Sequence, residues 1–159
     1  MAAYEMNAFG DAYQKNVIAN AKSFAKSLKA AGLDVAGDPA ISYTETHQVI
    51  VKTGYGTGPE VAERLEENNV IVNYQATPEE EGFTASGALR LGVSEMTRFG
   101  FGEKEFEQLA NLIADCVLRN KPIAAEVAKL RAGYTTLGYC FSDEAVSKAL
   151  DALATTSGM

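Results

Sequence analysis

In the stretch SGALRLG, residues 86–92, a single cation, Arg90, stands between two leucines and inside a frame of two glycines. Alternate residues of a strand point to opposite faces, so Leu89 and Leu91 would enter a core while Arg90 faces the other way. Gly87 and Gly92 allow backbone or ligand to come close at either end. A guanidinium presented in this way can grip a carboxylate through two parallel, charge-assisted hydrogen bonds. The same spacing also describes an edge-strand or ion-paired arginine, and periodicity alone leaves both readings open.

Other reactive side chains are sparse. His47 is the single histidine, so no triad or metal cluster can be assembled around it. At the entry of an apolar strand it is expected to be packed and hydrogen-bonded. Cys116 and Cys140 match no C-x-x-C spacing, and Cys116 falls in an apolar helical stripe, where it reads as a small core residue. Ser86 lacks the G-x-S-x-G frame of a hydrolase elbow. The run Glu79, Glu80, Glu81 reads as a solvated loop. GYGTG, residues 54–58, is not G-x-G-x-x-G and carries no Lys-Ser/Thr pair, so its glycines are expected to form a turn ahead of a helix. No catalytic residue and no metal-ligand set is assigned.

The elements that must position Arg90 follow from hydrophobic spacing. Tyr13, Val17, Ala21, Phe24 and Leu28 recur three or four apart, with lysines mostly on the other side, which predicts an amphipathic helix ended by Gly32 as a left-handed cap. THQVIVKTG predicts a strand. Thr57, Pro59 and Glu60 predict a second helix opened by a capping box. VIVNYQATP predicts a short strand closed by Pro78, SGALRLG a further strand, and EKEFEQLANLIADCVLR a long helix. KPIAAEVAKLRAG and SDEAVSKALDALA predict two short helices, the second capped by Ser142. The expected architecture is α+β, a small, mostly antiparallel sheet with helices packed on one face and a helical tail.

With 159 residues, 47% hydrophobic and 22% charged, the chain can build one ordinary globular core. Its net charge of −7 argues against non-specific binding to nucleic acid, which needs clustered Lys and Arg. No apolar run approaches the ~20 residues of a membrane span. The absence of a basic region leading into an apolar stretch near Met1, with no paired cysteines, leads us to expect a cytoplasmic protein.

The segment SGALRLGVSEMTRFGFGEKEFEQLANLIADCVL resembles the C-terminal, small domain of serine hydroxymethyltransferase. In that family a Gly-aliphatic-Arg-aliphatic-Gly strand precedes a Thr-Arg turn and a Glu-rich helix. Three further segments agree in the family's order. YQKNVIANAKSFAKSLKAAG resembles the helix leading out of the large domain, TETHQVIV the family's His-aliphatic strand, and NNVIVNYQATP its Val-Asn-Lys-Asn-x-x-Pro segment. The likeness covers residues 10 to 120. It divides the chain into a serine hydroxymethyltransferase-like domain, 1–120, and a helical C-terminal extension of the same domain, 121–159.

The resemblance implies the fold type I group of pyridoxal-phosphate enzymes and the reversible conversion of serine and tetrahydrofolate to glycine and methylenetetrahydrofolate. It implies that Arg90 binds the α-carboxylate of the amino-acid substrate, and that Asn73 and Gln75 are candidates for the folate side. The family's Asn-Lys-Asn reads Asn73-Tyr74-Gln75 here, a departure that puts folate recognition in question. The Schiff-base lysine of the family stands after Thr-His in the large domain, whereas Thr46-His47 is followed by Gln48. The chain alone is therefore expected to be inactive and to bind no pyridoxal phosphate by itself. Its expected partners are the large catalytic domain, an amino-acid substrate and a further copy in a homo-oligomer, with no nucleic acid or membrane. The alternatives are a folate-independent fold type I aldolase or transaldolase, and a free-standing module that binds carboxylates or a partner.

Overall fold

The computed structural model describes residues 2–80 and 85–156. The first helix, α1 (Ala2–Ala30), is longer than its apolar stripe predicts, because it runs back through residues 2–10. Its C-terminal half buries Val17, Ala21, Phe24, Ala25 and Leu28. Gly32 ends it at φ +101. The Leu33 amide donates to the Leu28 carbonyl at 3.1 Å and the Gly32 amide to that of Lys29 at 3.0 Å, the two bonds of a Schellman cap.

Four strands follow: β1 (Asp34–Val35), β2 (Gln48–Lys52), β3 (Asn73–Gln75) and β4 (Ala88–Gly92). All pairings are antiparallel and the order is β1-β2-β4-β3. Alternation decides the faces. Val49 and Val51 of β2 and Leu89 and Leu91 of β4 are buried against the helices, and their intervening neighbours turn the other way. The helical layer consists chiefly of α1, α2 (Gly58–Glu67) and α4 (Glu103–Arg119), with Phe24 and Phe106 in ring contact at 5.2 Å. Each such side chain, fully buried, contributes about 1.5–3 kcal/mol. Cys116 lies in this core, as its spacing predicts. The α+β class with helices on one face is the observed architecture.

Several local expectations are corrected. The capping box at Thr57 does not form. The Thr57 hydroxyl donates instead to Thr53 Oγ1 at 3.0 Å and to the Gly54 carbonyl at 2.9 Å, within the turn itself. Only Asn73–Gln75 of VIVNYQATP is strand, because Val70 turns inward behind α2 and Ile71 faces solvent. A short helix, α3 (Ser94–Arg98), follows β4 directly. The tail forms α5 (Ala124–Ala132) and α6 (Asp143–Thr156), and the Ser142 hydroxyl caps α6 through the Ala145 amide at 3.2 Å.

Candidate functional site

The sheet face turned away from the helices carries the candidate residues. On it, one row crosses three strands: Ile50 of β2, Arg90 of β4 and Asn73 of β3 are direct antiparallel partners. Partners of this kind point to the same side, with Cα atoms about 4.5–5.5 Å apart. The next row is Lys52, Ala88 and Gln75, and on the other side Gln48 faces Gly92. The three residues singled out in the sequence, Arg90, Asn73 and Gln75, therefore share one face and lie next to one another. Arg90 is half-buried, Asn73 exposed and Gln75 half-buried.

Among the described residues, no hydrogen bond or ion pair engages the Arg90 guanidinium. The other cation of this face, Lys52, is occupied by Glu79, Nζ to Oε1, at 3.2 Å. Glu79 is held below its usual range by hydrogen bonds from Thr77 and Lys52. A permanently charged fork beside an amide and an aliphatic side chain can hold a carboxylate bidentately, with Ile50 limiting water on one flank.

The strand that presents Arg90 is locked at its start. The Gly87 carbonyl accepts from the Thr53 amide at 2.8 Å, the Thr53 hydroxyl at 3.1 Å and the Gly54 amide at 3.3 Å. The Gly58 amide donates to the Ser86 carbonyl at 2.9 Å, and a Cβ at Gly58 would fall 2.4 Å from that oxygen. From the opposite side, Glu80 Oε2 accepts from Thr77 N at 2.7 Å and Gly87 N at 3.2 Å. The acidic run is thus not a plain solvated loop: Glu79 is ion-paired and Glu80 is a buttress, while Glu81 lies outside the described residues. Three carboxylates after Pro78, ahead of Ser86-Gly87, were the available signal, but a charge run alone does not reveal which carboxylate folds inward.

His47 departs from expectation. It is exposed, and among the described residues only its carbonyl is engaged, by the Val93 amide at 3.1 Å. Its Cδ2 lies 4.0 Å from where a Cβ on Gly92 would stand, so the ring flanks the end of the Arg90 strand. Two cavities, of about 520 and 730 Å³, lie at α1–α3 and beneath α5, and neither is lined by Arg90. Arg90 lies on the sheet surface, outside both. No group of His, Cys, Asp and Glu among the described residues could hold a metal ion, and no helix there is long and apolar enough to cross a membrane.

Comparison with known proteins agrees with the fold. The family model for serine hydroxymethyltransferase matches residues 3–113. Serine hydroxymethyltransferase of Pyrobaculum arsenaticum is 39% identical over 140 residues, 86% of this chain and 32% of that protein. The Korarchaeum cryptofilum enzyme is 37% identical over 151 residues, 90% of this chain and 35% of that protein. The chain thus spans about a third of the length of the curated relatives it matches. A crystal structure of L-threonine transaldolase from Pseudomonas fluorescens superposes with a TM-score of 0.80 at 27% identity, covering 93% of this chain and 35% of that one.

Proposed function

The chain belongs to the serine hydroxymethyltransferase family, and from that premise we propose that it is the family's C-terminal domain, with Arg90 as the residue that holds the substrate carboxylate. The observation that carries this reading is a guanidinium at the centre of the helix-free sheet face with no partner among the described residues. In the intact enzyme the reaction would be the transfer of serine's hydroxymethyl group to tetrahydrofolate, leaving glycine. Arg90 would fix the amino acid by its carboxylate, and so set which bond at Cα lies ready to break. Orientation of this kind is worth several kcal/mol of barrier.

Pyridoxal phosphate, implied for the intact enzyme by the family, would supply the electron sink for the bond that breaks. The groups on this face suit a carboxylate better than an aromatic ring with a phosphate. The cofactor and the lysine that binds it are therefore assigned to a large domain covering this face, and this domain acts as the substrate's clamp. Gln75, beyond Asn73 on the same strand, would border the folate side. Residues 121–159 would continue the same unit, because Gly138, Tyr139 and Phe141 dock on Arg98, Tyr13 and Phe9.

The test is Arg90→Ala and Arg90→Lys in the enzyme that contains this domain. Losing one partner of a desolvated charge pair costs about 2–5 kcal/mol, so kcat/KM for serine should fall by roughly 30-fold or more. Unchanged amino-acid kinetics would sink the assignment. Tyr74 and Gln75, with the transaldolase likeness, favour a second reading, a folate-independent aldolase or transaldolase. Titrating tetrahydrofolate into the turnover assay separates the two.

A further inference from the structure

We propose that Asn73 is the second donor of the Arg90 site, its amide completing the grip on the carboxylate; this rests on the reading of Arg90 above and deepens it. Arg90 has two direct cross-strand partners, Ile50 and Asn73. Ile50 has no polar side-chain atom. Along β4, the same-face neighbours two residues away are Ala88 and Gly92, which offer no side-chain donor either. The diagonal neighbours, one row away, are Lys52, engaged by Glu79, and the amides Gln48 and Gln75. Asn73 is the one amide set directly opposite the guanidinium.

The chemistry of the two groups is complementary. A carboxylate has about four acceptor positions, and a guanidinium fork fills two of them. An amide at cross-strand distance can donate Nδ2–H to a third, while its Oδ1 accepts a guanidinium N–H. Asn73 would then hold both the ligand and the arginine that binds it. This separates the two residues grouped on the folate side: Asn73 serves the carboxylate, and Gln75, opposite Ala88, is left as the folate-side position.

The experiment follows the Arg90 Nε–Hε resonance of the 159-residue chain by NMR during titration with L-serine and, as control, L-serinamide. Serine should give a saturable shift that serinamide does not. Asn73→Ala should weaken serine by about tenfold or more, the worth of a hydrogen bond to a charged group. Asn73→Asp should abolish the response, since its carboxylate would occupy Arg90 itself. Serine affinity equal to wild type in either variant overturns the role of Asn73 alone. A wild-type Arg90 that ignores serine overturns the reading of Arg90 beneath it.

Discussion

Glu80 and Gly87 are built around one another: the Glu80 carboxylate accepts the Gly87 amide at 3.2 Å, and its other oxygen fills the space where a side chain on residue 87 would begin. This contact lies three residues before Arg90, and the turn at Thr53–Gly58 holds the same strand entry from the other side. The direction in which Arg90 leaves the sheet is set here.

Gly87→Ala should therefore be destabilising. Its Cβ would lie 2.0 Å from Glu80 Oε1 and 2.8 Å from the Gly54 carbonyl. The carboxylate can swing away, but the backbone oxygen cannot. A cost of about 1–3 kcal/mol is expected from this overpacking. In urea unfolding the midpoint should drop with the slope unchanged.

Much of this arrangement is readable in the sequence, and the rest is not for identifiable reasons. Leu89-Arg90-Leu91 has the period of a strand with one buried face, so the outward direction of Arg90 follows from pattern alone. That Asn73 is its partner does not, because register is set by tertiary packing. β1 was missed because two residues carry no periodicity. α3 was missed because five residues after a strand carry too little of it. The exposure of His47 departs from what its apolar neighbours suggest: the strand begins after it, so their alternation does not extend to it. Thr57 shows the turn winning over the cap: its backbone is helical (φ −92, ψ −8) rather than extended, and its hydroxyl donates to Gly54 and Thr53 within the turn instead of accepting from the α2 amides.

The pair Glu105 and Tyr134 should give stability a two-sided pH dependence. Burial alone would raise the Glu105 carboxyl, but hydrogen bonds from the Tyr134 hydroxyl and the Gly102 amide outweigh it and hold it below 4.5. Tyr134 is raised above 10.0, first by its bond to Glu105 and then by burial. A depressed carboxyl stabilises above its unfolded value and ceases to do so as pH falls through the folded one. A raised phenol stabilises below 10.0 and ceases to do so as pH rises through its folded value. Glu105→Gln should lower Tm at neutral pH, with the gap to wild type closing below pH 4.5. A gap that persists unchanged in acid would contradict the charged bond.

Asn20 ties α1 to the segment after β4 from inside the core. It is 5% exposed, and its Nδ2 donates to Thr97 Oγ1 and to the Phe101 carbonyl, each at 2.9 Å. Asn20→Ala leaves both acceptors buried without this donor, at a cost of about 1–3 kcal/mol. Asn20→Leu should cost at least as much, because it adds an apolar group against the same oxygens. Either is read from the urea midpoint, and a variant as stable as wild type would show that water replaces the amide.

Arg90 and Arg98 stand eight residues apart within the matched residues 3–113, yet among the described residues only Arg98 is bonded into the fold. Arg98 bonds Glu5 at 2.9 Å and the Gly138 carbonyl at 3.3 Å, tethering the segment before α6 to α1 and α3. Arg98→Ala should lower stability by about 1 kcal/mol and speed amide exchange across residues 134–141. Arg90 has no such partner among the described residues, so Arg90→Ala should leave stability within about 0.5 kcal/mol of wild type. This comparison decides between the two readings of Arg90 that periodicity leaves open. An edge or ion-paired arginine would show a loss of stability when removed. A residue kept for its ligand would show none, and its removal would be felt only in the affinity for a carboxylate.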